Sequence, residues 1–118
     1  MTLSEYKAQL ASNEGVAFEA TMQVIAEHFT YQPTTFSNGL NEDTVVNAAG
    51  TNEGSCKIFA FAKLEGLDKE QTLGCFGGFY RDVLATPQGT DHGNIRAFMK
   101  HGWDGISFEG EALTRKGE

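Results

Sequence analysis

Asn47-Ala48-Ala49-Gly50-Thr51-Asn52-Glu53-Gly54-Ser55-Cys56-Lys57-Ile58-Phe59-Ala60-Phe61-Ala62-Lys63-Leu64 falls into two halves of opposite character. The first half is small, polar and glycine-containing, the composition of a tight loop. The second half places Ile58, Phe59, Phe61, Ala62 and Leu64 around most of a helical circumference. A helix apolar nearly all round is a central one. The spacing therefore predicts a buried third helix that starts after Asn52, reaches about Leu64 and stops at Gly66.

Amphipathic elements flank this axis. Thr2 with Glu5 three residues on forms a capping box for a first helix over about Leu3–Ser12. Phe18, Met22, Ile25 and Phe29 recur at half-buried helical spacing and predict a second helix over about Ala17–Phe29. Asp68 with Gln71 opens a fourth helix, closed by Pro87. Gly74, Gly77 and Gly78 inside it cost about 1 kcal/mol each against Ala, so close approach to a neighbouring segment is expected there. A fifth helix begins near Thr90 or Asp91, shows Ile95, Phe98 and Met99, and ends at Gly102. Thr34–Ser37, Thr44–Asn47 and Ile106–Glu109 read as short strands. Met1–Ser4 and Thr114–Glu118 are polar enough to fray. The expected architecture is α+β: one helix-rich domain over residues 1–118, with about five helices and a few short strands.

The chain has 118 residues, and sixteen acids against nine bases give a net charge of −7. Such a surface repels nucleic-acid phosphates and anionic lipid, so neither nucleic acid nor membrane is an expected partner. The longest apolar run, Ile58–Ala62, is far below the ~20 residues that cross a bilayer. The opening residues show no basic stretch leading into an apolar one, so a cytoplasmic protein is expected. Cys56 and Cys75 lie in apolar surroundings, as reduced core cysteines do.

The loop before the third helix has a chemical reading and a structural one. Unpaired first-turn amides and the helix dipole favour an anion, and Lys57 adds a full charge. The spacing is not that of a phosphate-binding Walker loop. Equally, Asn and Gly there suit left-handed backbone in a tight loop. Cys56 in the first helical turn, with His92 as base, has the logic of a cysteine nucleophile. A small cysteine-dependent hydrolase or transferase is thus the alternative to a binding domain. A buried thiol and a histidine in a capping turn explain the same residues.

His92, Asn94 and Arg96 share one helix start and could line a polar site. Arg96 could instead pair with Glu109 or Glu111. With Asn38, Asn47, Asn52, Glu53, Ser55 and Lys57 they make up the candidate ligand-binding set for a small polar or anionic ligand. His28, His92, His101, Asp91 and Asp104 lack metal-site spacing, and no metal or cofactor is expected. Glu53 with Glu109 or Glu111 is a poor glycosidase pair. Trp103 reads as a core plug, or as a partner patch if exposed with Phe98.

Three stretches together, Asn47–Leu64, Gly89-Thr90-Asp91-His92-Gly93-Asn94-Ile95-Arg96 and Phe108-Glu109-Gly110-Glu111-Ala112-Leu113, resemble the HopJ type III effector family. Tyr31-Gln32-Pro33-Thr34-Thr35-Phe36-Ser37-Asn38-Gly39 fits as well, so the resemblance runs from about Leu3 to Leu113. It implies a small single-domain bacterial α+β protein. It also implies delivery into a host cell by a type III secretion apparatus, with a host protein as partner. It supplies no catalytic residues.

Overall fold

The computed structural model describes residues 1–116, and six α-helices and five short strands are present among them. In chain order these are α1 (Leu3–Ala11), α2 (Phe18–His28), β1 (Phe29–Tyr31), β2 (Phe36–Asn38), β3 (Val45–Asn47), α3 (Glu53–Glu65), α4 (Lys69–Gly74), α5 (Gly78–Ala85), α6 (Gly93–His101), β4 (Ser107–Phe108) and β5 (Leu113–Arg115). The α+β class expected from the sequence is the one observed.

Helix α3 is the axis. Ile58, Phe59, Phe61 and Ala62 are fully buried on it. Tyr6 of α1 and Phe29 of β1 both meet Phe61 edge-on, and Phe36 of β2 does the same to Phe59. Phe76 and Phe98 reach Phe59 from the remaining sides. At the C-terminus Gly66 takes φ 69°, and the Leu67 amide donates back to the Ala62 carbonyl. That is the left-handed stop that glycine makes cheap. Both expected capping boxes form, Thr2–Glu5 on α1 and Asp68–Gln71 on α4.

The single fourth helix of the sequence reading is two helices, α4 and α5. Gly77 breaks it at φ 58°, ψ −125°. A Cβ there would lie 2.7 Å from the Phe18 nitrogen and 2.8 Å from the Val16 carbonyl oxygen. The expected close approach exists, and the backbone turns to make it.

Two strands were absent from the sequence reading. Phe29 begins β1 instead of ending α2, and Thr114 and Arg115, expected to fray, form β5 with Leu113. Residues 117–118 of the expected frayed tail lie outside the described residues. β1 pairs with β5, while β2 is central between β3 and β4, all antiparallel. One register runs through both sheets. Phe29 faces Arg115, Phe36 faces Phe108, and the Gly39 amide reaches the Gly105 carbonyl. Residues 28–39 and 105–116 are therefore a single bent ribbon wrapped around α3. The bend falls at Pro33, which has no N–H to give the ladder. Across it the buried positions change from odd (Phe29) to even (Phe36, Asn38) numbers.

Glu65, on the last turn of α3, ties both chain ends to this axis. Its carboxylate, 6% exposed, sits 2.8 Å from the Lys7 ammonium of α1 and 2.7 Å from the Arg115 guanidinium of β5. Burial raises its pKa, but the hydrogen bonds and charges of Lys7 and Arg115 outweigh that and hold it below 4.5. A depressed carboxylate stabilises the fold above its unfolded pKa and loses that contribution as pH falls through the folded value. Both basic partners are partly solvated, which discounts the pair. Glu65→Gln is expected to lower stability at pH 7 by about 1–3 kcal/mol. It should also flatten the loss of stability expected for the parent chain as pH falls below 4.5. Urea denaturation between neutral and acid pH measures both.

Candidate functional site

The loop before α3 and the turn before α6 do converge. Between them lies an open hollow of about 420 Å³. Asn52, Gly54 and Ser55 line it from the start of α3, and His92, Gly93, Asn94 and Ile95 from the start of α6. Phe18, Phe76, Phe79 and Val45 supply its apolar wall.

Both helices begin in the same uncommon way. Asn52 and His92 precede them in left-handed conformation, at φ 49° and φ 52°, and neither side chain caps its helix. The first helical hydrogen bonds are Cys56 N–H to the Asn52 carbonyl and Arg96 N–H to the His92 carbonyl. The amides of Gly54, Ser55, Gly93, Asn94 and Ile95 have no acceptor among the described residues. Two positive dipole ends thus share one hollow. Gly54 is required by packing, since a Cβ there would lie 2.7 Å from the Phe18 ring.

A buried amide network holds the two helix starts in place. The Asn47 Nδ2 donates to Asn94 Oδ1 at 3.1 Å, and Asn94 Nδ2 returns a bond to Asn47 Oδ1 at 2.9 Å. Asn38 Nδ2 donates to both the carbonyl and Oδ1 of Asn94, at 2.7 and 3.0 Å. Asn52 Nδ2 donates to Asn47 Oδ1 at 2.7 Å, which occupies the side chain that would otherwise cap α3.

The candidate ligand set separates on this geometry. Asn52, Ser55, His92 and Asn94 line the hollow. Asn38 and Asn47 are buried behind it as its scaffold. Glu53 is exposed at the start of α3 and is not part of the lining. Lys57 points the other way, its Nζ 4.7 Å from the centre of the Tyr31 ring, and adds no charge to the hollow. Arg96 also turns away. It binds Asp91 at 2.7 Å and the Thr86 carbonyl at 2.9 Å, so the expected pairing with Glu109 or Glu111 does not form.

The Cys56–His92 pair is corrected too. Cys56 is buried and is not part of the hollow's lining, its Sγ directed at the Thr34 carbonyl. Burial pushes the thiol pKa up, against the lowering expected of a helix start. Cys75 is likewise buried, its pKa pushed up to about 11. His92 packs instead against Phe79 at a tilt, ring centres 5.4 Å apart, and lies 3.8 Å from Asp91. Trp103 packs edge-on against Phe98 and donates to the Leu67 carbonyl, as a half-buried plug. Among the described residues no three His, Cys, Asp or Glu side chains gather as metal ligands.

The aromatic wall went unread in the sequence. Phe18 and Phe76 carry core-facing spacing, and the hollow uses their edges. Phe79 was masked by treating residues 68–86 as one helix. The Gly77 break resets the periodicity and leaves Phe79 40% exposed beside His92.

Removing the hub of the amide network takes one acceptor from each of the buried Asn38 and Asn47 amides, which keep the main-chain carbonyls of residue 94 and Val45, at about 1–3 kcal/mol for each N–H left unsatisfied. Asn94→Ala is expected to lower stability by about 2–4 kcal/mol. Thermal unfolding followed by circular dichroism checks the loss.

Comparison with known proteins agrees with this architecture. Over 98% of the chain and 95% of the other, it superposes on a solved structure described as "Crystal structure of unknown function protein VPA0580", with TM-score 0.91 and 52% identity. No curated protein matches the chain. The family model described as HopJ type III effector protein matches residues 3–113, and the chain belongs to the HopJ family.

Proposed function

We propose that this domain is a non-catalytic binding module, and that its ligand is a small anion with an apolar body seated between the starts of α3 and α6. The observation that carries this reading is the set of unpaired amides of Gly54, Ser55, Gly93, Asn94 and Ile95 around one hollow. Amides at helix starts favour carboxylate or phosphate oxygens. Phe18, Phe76 and Phe79 favour an aromatic or aliphatic group attached to that anion. Neutral donors suit an acidic protein, because they bind an anion without placing a fixed cation in the pocket.

Benzoate and phenyl phosphate are suitable probes. On titration, the amide resonances of Gly54, Ser55, Gly93 and Asn94 are expected to shift together and saturate. Acetate and inorganic phosphate should bind at least tenfold more weakly for want of the apolar group. Benzamide, which keeps the ring and loses the charge, should not saturate. Shifts scattered over the surface, or equal affinity for benzamide, would refute the reading.

The family description favours a second step, delivery into a host cell by a type III secretion apparatus. The hollow would then take a terminal or side-chain carboxylate of a host protein. A translocation reporter fused to the chain is expected to reach host cytosol only from bacteria with an intact secretion apparatus. Equal signal from an apparatus-deficient strain would remove that step.

A further inference from the structure

Among the described residues no strand pairs with the outer edge of β5, and its hydrogen-bonding pattern is fixed by its inner edge. Gln32 N–H donates to the Ala112 carbonyl and Lys116 N–H to the His28 carbonyl, so the even-numbered residues of this strand are the ones bonded to β1. In an antiparallel ladder the intervening residues turn their N–H and C=O the other way. Leu113 and Arg115 therefore present main-chain groups outward, with Glu111 next in phase. Beside them lies an open groove of about 620 Å³ floored by Ala60, Lys63 and Leu64 of α3. Leu64 is 45% exposed there. An edge of this kind is a template for another strand.

The sequence along the edge is Glu111-Ala112-Leu113-Thr114-Arg115, with opposite charges at equal distances from its centre. We propose that this edge pairs with a second copy of itself, antiparallel and centred on Leu113. That register makes the two Leu113 residues a hydrogen-bonded pair. It sets Glu111 of each copy directly opposite Arg115 of the other, twice by symmetry, and opposite charges directly across a ladder attract. Any register shifted by one residue would misalign the outward-facing groups and lose the charge match. The result is a continuous four-stranded sheet in the order β1-β5-β5-β1. Each α3 lies beneath its own β1 and β5, with Phe61 against Phe29 and the Leu64 carbonyl against Arg115. Strands about 4.8 Å apart then put the two α3 axes about 10 Å apart, a helix-packing distance, with both Leu64 side chains between them. The interface is small and each copy carries −7, so association is weak and dissociates on dilution.

Sedimentation across a concentration series, with amide exchange measured at each concentration, tests the proposal. The expected result is a monomer–dimer equilibrium in which exchange at Leu113 and Arg115 slows as dimer forms. Glu111 is exposed and outside every strand, so Glu111→Lys should fold normally and raise the dimer Kd at least tenfold. Leu64→Glu, on the exposed side of α3, should weaken the dimer independently. Arg115 is left intact because it also holds Glu65. A chain monomeric up to about 1 mM overturns the proposal, as does a dimer whose Leu113 and Arg115 amides exchange unchanged. A Kd insensitive to Glu111→Lys overturns it as well.

Discussion

Two asparagine side chains, Asn47 and Asn94, exchange a pair of hydrogen bonds inside the domain. A primary amide buried without partners costs several kcal/mol, and one with every partner in place costs little. The pair is therefore highly sensitive to geometry. If β3 and α6 separate by an ångström, both bonds between the two amides are lost at once. Asn38 and Asn52 join the same network and extend the constraint to β2 and to the start of α3. The neighbouring strands β2 and β3, the start of α3 and the distant start of α6 are thus fixed to one another by a few polar atoms. The apolar contacts around Phe59 supply most of the driving force for collapse, but such contacts are non-directional. Directional bonds select one arrangement from the many that hydrocarbon packing would tolerate.

That selection has a consequence for helix ends. Asparagine before a helix commonly caps it, using its side-chain oxygen on a first-turn amide. Asn52 cannot do so, because its left-handed backbone and its bond to Asn47 direct the amide elsewhere. His92 occupies the matching position on α6 and also leaves its helix uncapped. Capping boxes form on α1 and α4, whereas α2 and α5 begin after Ala17 and Gly77, which have no polar side chain to cap with. Omitting caps at two facing starts forgoes about 1 kcal/mol at each. In return, the free amides gather where an acceptor from outside can reach them. Residues in unusual backbone conformations collect at sites of function, where local stability is given up for geometry.

Much of this was legible in the residues. The capping pairs, the all-round apolar pattern of Ile58–Leu64 and the stop at Gly66 follow from local chemistry, and each stands where the sequence puts it. The two polar, glycine-flanked helix starts near residues 52 and 92 were readable one by one, but nothing in their composition placed them side by side. What escaped was non-local. β1 and β5 hold only three residues each, and neither segment reads as a strand until its partner from the other end of the chain is known. The odd-to-even change of buried positions across Pro33 erased the alternation that would have joined Phe29 to Phe36. Gly77 was read as a costly helix residue, and its positive φ could not be told from a close contact by composition alone. For Cys56, sequence position gave the helix turn but not the face. Its position toward Thr34, outside the lining of the hollow, decides its chemistry.

The charge distribution completes the argument for the hollow over other sites. A chain with net charge −7 that used lysines to attract an anion would have to shield them from its own carboxylates. Here the cations near the candidate region are already engaged. Arg96 is bound to Asp91 and Thr86, and Lys57 rests on the Tyr31 ring. The dipole ends of α3 and α6 are different, since a backbone amide carries no net charge and no neighbouring carboxylate can neutralise it by forming an ion pair. Water or an acceptor that enters the hollow satisfies those amides, and the aromatic wall favours an acceptor that carries an apolar group. Selectivity in such a site rests on shape together with fixed dipoles, so a modest apolar cavity in an acidic protein can discriminate one organic anion from another without a single buried cation.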